Sequence, residues 1–186
     1  MGKIKPYPPV KYFAAITFTA GNYLVDLYGA LENLFSAIDH KSEIFDFDQF
    51  TSYYQSEMGK SLQKQIISFK TLLPAEQLPA LKIATNSIEE NFLLNGKRTI
   101  NVDPGYLTAA RMVLATTKDY DHRIYLGMGI FGDLHYRFRS GHFRFNEWTY
   151  PDYQQENILH YFEELRILYM EQLKTWNAHS LQNEES

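Results

Sequence analysis

The chain contains no cysteine. Disulfides, thiolate nucleophiles and cysteine-ligated zinc are thereby excluded, and the omission fits a reducing compartment. No uninterrupted apolar run reaches the roughly 20 residues that span a bilayer. The opening Met1-Gly2-Lys3-Ile4-Lys5-Pro6-Tyr7-Pro8-Pro9 lacks the apolar core of a signal peptide, and Pro6 stands where myristoylation of Gly2 wants Ser or Thr. The expected address is the cytoplasm, with no membrane partner. A surplus of charge is missing as well. Eighteen basic residues face 22 acidic ones, a net of -4, so the chain is not expected to coat DNA, although a local basic patch stays open.

Aromatics are abundant: 14 Tyr, 13 Phe and 2 Trp make up 16% of 186 residues. Buried phenols need partners, so thick packing layers with hydroxyls at their rims are predicted. The length suits one domain, taken as residues 1–177, with a polar, frayed tail over 178–186. Surplus aromatics and open sheet edges leave a homo-oligomer possible.

Val10, Tyr12, Ala14, Ile16 and Phe18 alternate through a predicted strand. Gly21-Asn22 breaks it, and Asn22 is placed to cap a helix in which Leu24, Leu27, Tyr28, Leu31, Leu34, Phe35 and Ile38 recur at helical spacing. A strand is expected around Ser42–Phe47, then a long loop or broken helix over Asp48–Ser61. Lys64–Leu73 reads as strand and Ala75–Leu94 as helix, with Pro79 near its start and Asn95-Gly96 as its stop. Arg98–Val102 and Arg123–Ile130 read as strands, Leu107–Thr117 as a short helix opened by Thr108. Ile158, Phe162, Leu165, Tyr169 and Trp176 mark a closing helix. The first six elements follow the split βαβ order. The expected fold is α+β, a ferredoxin-like sandwich (antiparallel sheet, two helices on one face) with an added β-hairpin and C-terminal helix.

Two polar clusters, Lys97–Tyr106 and Thr116–Arg123, sit where apolar runs end, and element ends commonly carry sites. In Asp103-Pro104-Gly105-Tyr106 the proline fixes chain direction and Gly105 permits positive φ, so a turn would hold Asp103 at the sheet's end as general base or metal ligand. The plainer reading is an aspartate capping its own turn. Lys118-Asp119-Tyr120-Asp121-His122-Arg123 places an imidazole, suited to proton transfer near neutral pH, among carboxylates and cations. Lys118 and Arg123 would then hold a phosphate or carboxylate. Tyr106 and Glu57 are further ligand-binding candidates for the same cleft. A charged surface loop is the plainer reading of His122. Neither a metal nor a cofactor can be named from these residues.

Ser140-Gly141 suits a two-residue hairpin turn, opposing Arg139 to His142, Arg137 to Arg144 and Phe138 to Phe143. One face would carry His135, Arg137, Arg139, His142 and Arg144, and the other Tyr136, Phe138, Phe143 and Phe145. The basic face, with Arg137 and Arg144 at its centre, suits an anion or an RNA backbone; alternation alone predicts a solvated face. Lys82, Asn86 and Glu89 form one polar helix stripe, read as solvated. Trp148-Thr149-Tyr150-Pro151-Asp152-Tyr153 reads as packing that leads into the last helix. Three partial nucleotide motifs fail. Gly59-Lys60-Ser61 has Tyr54 where a P-loop needs glycine, Thr117-Lys118-Asp119-Tyr120 has Tyr120 in place of aspartate, and Asp26-Leu27-Tyr28-Gly29 lies inside a helix.

Tyr53-Tyr54-Gln55-Ser56-Glu57-Met58-Gly59, Val102-Asp103-Pro104-Gly105-Tyr106, Leu114-Ala115-Thr116-Thr117-Lys118, His122-Arg123-Ile124-Tyr125-Leu126 and Trp148-Thr149-Tyr150-Pro151-Asp152-Tyr153 together resemble the uncharacterised domain of unknown function 4416. The resemblance runs from the leader to the last helix. It implies a bacterial or archaeal cytosolic protein with no established activity and no catalytic residues to carry over. Relatives are sometimes labelled GTP-binding, a label these residues do not support. It also implies Tyr-Ala-Glu after Ile130, where this chain has Phe131-Gly132-Asp133.

The leading expectation is a small protein binding a phosphorylated ligand, a nucleotide or RNA end, in a cleft at the strand ends, with Asp103 and His122 supplying acid–base or metal chemistry. The rival is a non-catalytic protein- or RNA-binding module that uses the basic hairpin face.

Overall fold

The computed structural model describes residues 2, 6–21 and 23–184, with side chains described as far as Ala178. The Asn22 cap expected for the first helix lies outside the described residues. The elements are β1 (Val10–Phe18), α1 (Leu24–Leu34), β2 (Ile38–Lys41), β3 (Phe45–Asp46), α2 (Gln55–Met58), β4 (Gln63–Leu73), α3 (Leu78–Glu90), β5 (Ile100–Leu107), β6 (Arg111–Thr116), β7 (Arg123–Gly127), β8 (Ile130–Arg139), β9 (His142–Phe145) and α4 (Glu156–Glu184). Short 3-10 turns at Ala75–Gln77 and Pro151–Gln154 lead into α3 and α4. α4 takes in most of the stretch expected as a tail.

The strands form one open nine-stranded sheet in the order β2-β4-β1-β5-β6-β8-β7, with β3 beside β4 and β9 beside β8. The pairings are antiparallel. β1 is central and buried along its whole length, because both sheet faces are covered. On one face Tyr12, Ala14, Ile16 and Val102 pack under Leu27 and Leu31 of α1 and Leu78 and Leu81 of α3. On the other, Phe13, Ile66, Met112 and Tyr136 pack under Ile158, Phe162, Leu165 and Tyr169 of α4. Among the described residues no helix is long and apolar enough to cross a membrane.

Three local expectations are corrected. Leu107–Thr117 is not a helix: β5 turns through Thr108, whose Oγ1 accepts from Ala110 N at 3.2 Å and Arg111 N at 3.1 Å, and the chain returns as β6. Met112–Ala115 are all buried, and a short run that is apolar on both sides looks alike in strand and helix. Asp103-Pro104-Gly105-Tyr106 is not a turn but part of β5, paired with Ala15, Ala14, Phe13 and Tyr12. Gly105 is needed for close approach, not for positive φ: a Cβ there would stand 2.4 Å from Phe13 Cζ and 2.5 Å from Val113 O. The strand expected around Ser42–Phe47 is two short edge pieces, β2 and β3, either side of a break.

Pro104 also explains where the sheet forks. β5 and β6 pair only over Gly105–Leu107 and Leu114–Met112. Backbone groups of alternate strand residues point to the same side, so Pro104 faces β6 as Val102 does. Proline has no N–H to give, and the ladder stops there. Beyond it the free edge of β5 is satisfied by α3: Val102 N donates to Glu89 Oε1 at 2.7 Å, and Lys82 Nζ donates to Val102 O at 2.9 Å.

Candidate functional site

The fork opens into a cleft of about 710 Å³. Its floor is a row of polar residues on the sheet, since Lys64 and Asn101 flank Thr17 in register on β4, β1 and β5. Asp103 adjoins them, its side chain a quarter exposed. α4 covers this sheet face elsewhere. Here the cover is the segment Phe47–Leu62, which folds on its own small core of Phe47, Met58 and Leu62. Its ends are tied by Ser61 N donating to Asp48 Oδ2 at 2.6 Å. It is a compact loop packed by its own side chains. Tyr53 and Tyr54 on this loop, with Tyr120 and Tyr150 from other loops, wall the cleft.

Cations and carboxylates meet at the floor. Lys82 Nζ lies 2.8 Å from Asp103 Oδ1, and Asn101 Nδ2 donates to Asp103 Oδ2 at 2.7 Å. Burial pushes the Asp103 carboxyl up, but the Lys82 ammonium with its hydrogen bond, the nearby Lys64 charge and the Asn101 amide outweigh it and hold Asp103 below the usual carboxylate range. Lys64 donates to Asp152 Oδ2 at 2.5 Å and sits over the Phe47 and Tyr153 rings, at 4.8 and 4.5 Å. Arg98 bridges Glu57 at 3.1 Å and Glu89 at 2.8 Å, and also donates to Asn101. Burial raises the Glu89 carboxyl, against the opposing pull of Lys82, the Val102 N–H and Arg98. Burial likewise raises the Tyr54 phenol. At the mouth, Lys118 Nζ lies 3.9 Å from the centre of the Tyr53 ring and links the two lips.

Of the residues singled out in the sequence, Asp103, Glu57 and Lys118 line this cleft. His122 does not. It borders a shallow hollow with Asp121, Glu147 and Trp148, stacked 5.0 Å from the Trp148 ring, so the structure does not bring Asp103 and His122 to one cavity. Arg123 is buried and its guanidinium is spent: it donates to Asp133 Oδ2 at 2.8 Å, Lys118 O at 3.0 Å and the Tyr150 hydroxyl at 2.7 Å. The carboxylate where the resemblance implied a glutamate thus holds an arginine in place. Tyr106 packs beside the core of the α1–α3 face, away from the cleft. Arg137 and Arg144 oppose each other in the expected hairpin register, and both are exposed. Two partners expected on that face leave it: His135 is fully buried, and His142 lies 3.1 Å from Glu163 of α4. Among the described residues no group of three or more His, Asp or Glu could hold a metal ion.

Sequence reasoning missed Lys64, gave Arg98 and Asn101 no role beyond membership of the first polar cluster, and misread Lys82 and Glu89 as solvated. The stripe was visible; what hid its role was that α3 lays its polar side along the free edge of β5, where an unpaired backbone needs polar partners. Lys64 gave no distinct signal, because its strand also carries Gln63, Gln65, Ser68 and Lys70.

With the fold and cleft in view, the chain is an α+β protein built on one open antiparallel sheet with a pocket at the sheet's fork. A family model described as Domain of unknown function (DUF4416) matches residues 8–169, and the chain belongs to that family. No curated protein and no solved structure gives a match.

Proposed function

We propose that this protein binds a phosphorylated small molecule carrying a planar ring, of nucleotide size, in the cleft at the β5–β6 fork. One observation carries the reading: two buried ammonium groups, Lys82 and Lys64, stand at the floor of an aromatic-walled pocket, and Lys82 makes two hydrogen bonds there with three N–H groups. Lysine has three N–H groups. Lys82 gives two, to Val102 O and Asp103, and Lys64 gives one, to Asp152. Phosphate oxygens are suitable acceptors for the remainder, and Lys118 at the mouth adds a further positive charge. Tyr53, Tyr54, Tyr120 and Tyr150 line the cleft and give it aromatic surface suited to a planar ring. The volume falls within the usual range for small-ligand sites. The reading is of binding; the placement of His122 outside the cleft gives no support to acid–base chemistry shared with Asp103. In the same reading, β2, β4, β1 and β5 with α1 and α3 form a ferredoxin-like unit, and β6–β9 with α4 extend it to make the fork.

The test is thermal unfolding with AMP, GMP, adenosine and ribose 5-phosphate. Ligand at a hundredfold over Kd stabilises by about 2.7 kcal/mol, which for a chain of this size raises Tm by roughly 5–10 °C. A nucleoside monophosphate is expected to give that rise, adenosine much less, and Lys118→Ala to weaken it. Equal shifts with adenosine and AMP, or none with any phosphorylated compound, would remove the proposal.

A further inference from the structure

We infer that the exposed arginine face of β6, β8 and β9 docks a single-stranded nucleic acid through its phosphates. Arg111 stands opposite Arg137, and Arg137 opposite Arg144, so three arginines form one row across three strands. Arg139 lies two residues along β8 from Arg137, hence on the same side. All four are exposed. Among the described residues none of the four side chains has an ion pair, hydrogen bond or ring partner. The remaining arginines are all engaged: Arg98 with Glu57 and Glu89, Arg123 with Asp133, Arg166 with Ala109 O and the Phe138 ring.

Like charges directly opposite on neighbouring strands destabilise a sheet, and among the described residues no carboxylate forms an ion pair with this row. The chain as a whole is acidic, at a net of -4, so the patch is not a by-product of surplus base. Two strand spacings set the row at about 10 Å from β6 to β9. A flexible single strand can lay successive phosphates along such a line, whereas a duplex curves its phosphates away from a flat face. Guanidinium forks suit phosphate oxygens, and the patch offers no ordered array of base-reading groups. Recognition is therefore of the backbone, and independent of the cleft.

The experiment is fluorescence anisotropy of labelled 12-residue oligouridine and oligodeoxythymidine with the full chain, over a salt series. Four phosphate contacts give a slope of log K against log salt of about -2.8, at roughly 0.7 per contact. The two oligonucleotides are expected to bind within about twofold of each other, as phosphate contacts carry no sequence or sugar information. Arg137→Glu with Arg144→Glu is expected to abolish binding, and the corresponding pair of lysine substitutions to retain most of it. These are surface positions, so the melting curve checks that each variant is folded, and the AMP-induced shift is expected to persist in both. No anisotropy change, a slope near zero, undiminished binding by the double glutamate variant, or tighter binding of a polyglutamate peptide of equal length would each overturn the inference.

Discussion

His135 is completely buried, yet neither ring nitrogen has a hydrogen-bond partner. It lies 5.0 Å from the centres of the Tyr150 and Tyr153 rings, and its Nε2 is 3.6 Å from Asp133 Oδ1, which also lacks a partner. Burial pushes its pKa down to about 4, against the pull of Asp133 and Asp152 and with the help of Lys64 and Arg123. The folded pKa is below the unfolded value near 6.5, so on acidification the unfolded chain takes up the proton first. Stability is therefore unaffected above that value and falls as pH drops from about 6.5 to 4, by about 2 kcal/mol at pH 5. Urea midpoints at pH 7 and pH 5 measure this. His135→Phe, which keeps a ring and removes both orphan nitrogens, is expected to flatten that window; an equal acid loss in the variant would clear His135 of responsibility. The sequence could not place this residue. Strand parity assigned it to the face of Arg137, but β8 bulges opposite Met112–Val113: His135 is the extra, unpaired residue there and turns to the side of Tyr153.

At the scale of elements, the departure of β5 from β6 decides where the cleft is. Helices α1 and α3 were legible because their apolar residues recur at helical spacing, and the β8–β9 hairpin because its turn sets its register. The fork was not. Its cause, Pro104, sits in a phrase that also reads as a turn, and its remedy lies more than ten residues upstream in α3. Glu89 accepts from Val102 N and also neutralises Arg98. Glu89→Leu leaves a buried N–H without an acceptor and is expected to cost about 2 kcal/mol, while Glu89→Gln keeps the acceptor and costs less. Denaturation midpoints give the energies, and faster exchange of the Val102 amide in the leucine variant locates the effect. If Val102 exchanges equally slowly in both variants, α3 does not hold the free edge.

For the molecule as a whole, one sheet separates two cores, and the cleft lies where the cover of the second face changes hands. α4 seals one end of that face and the Phe47–Leu62 loop the other, with Asp152 between them reaching Lys64. Phe162 is the centre of the α4 seal: it is fully buried, with Phe13 at 5.0 Å, Tyr136 at 5.3 Å and Tyr153 at 6.3 Å between ring centres. Truncating it removes a ring from four aromatic contacts at once, the fourth with Tyr161 at 5.3 Å, and leaves a cavity under a rigid sheet that cannot collapse to fill it. Phe162→Ala is expected to cost about 3–5 kcal/mol and to lower Tm by roughly 6–20 °C. Tyr153 follows Asp152, so loosening its packing also loosens the anchor of Lys64. In Phe162→Ala the AMP-induced shift is therefore expected to shrink along with Tm, whereas an equally destabilising Leu31→Ala on the opposite face lowers Tm alone. Calorimetry of the two variants with and without AMP separates these outcomes, and equal ligand shifts in both would show that the α4 seal and the cleft floor are mechanically independent.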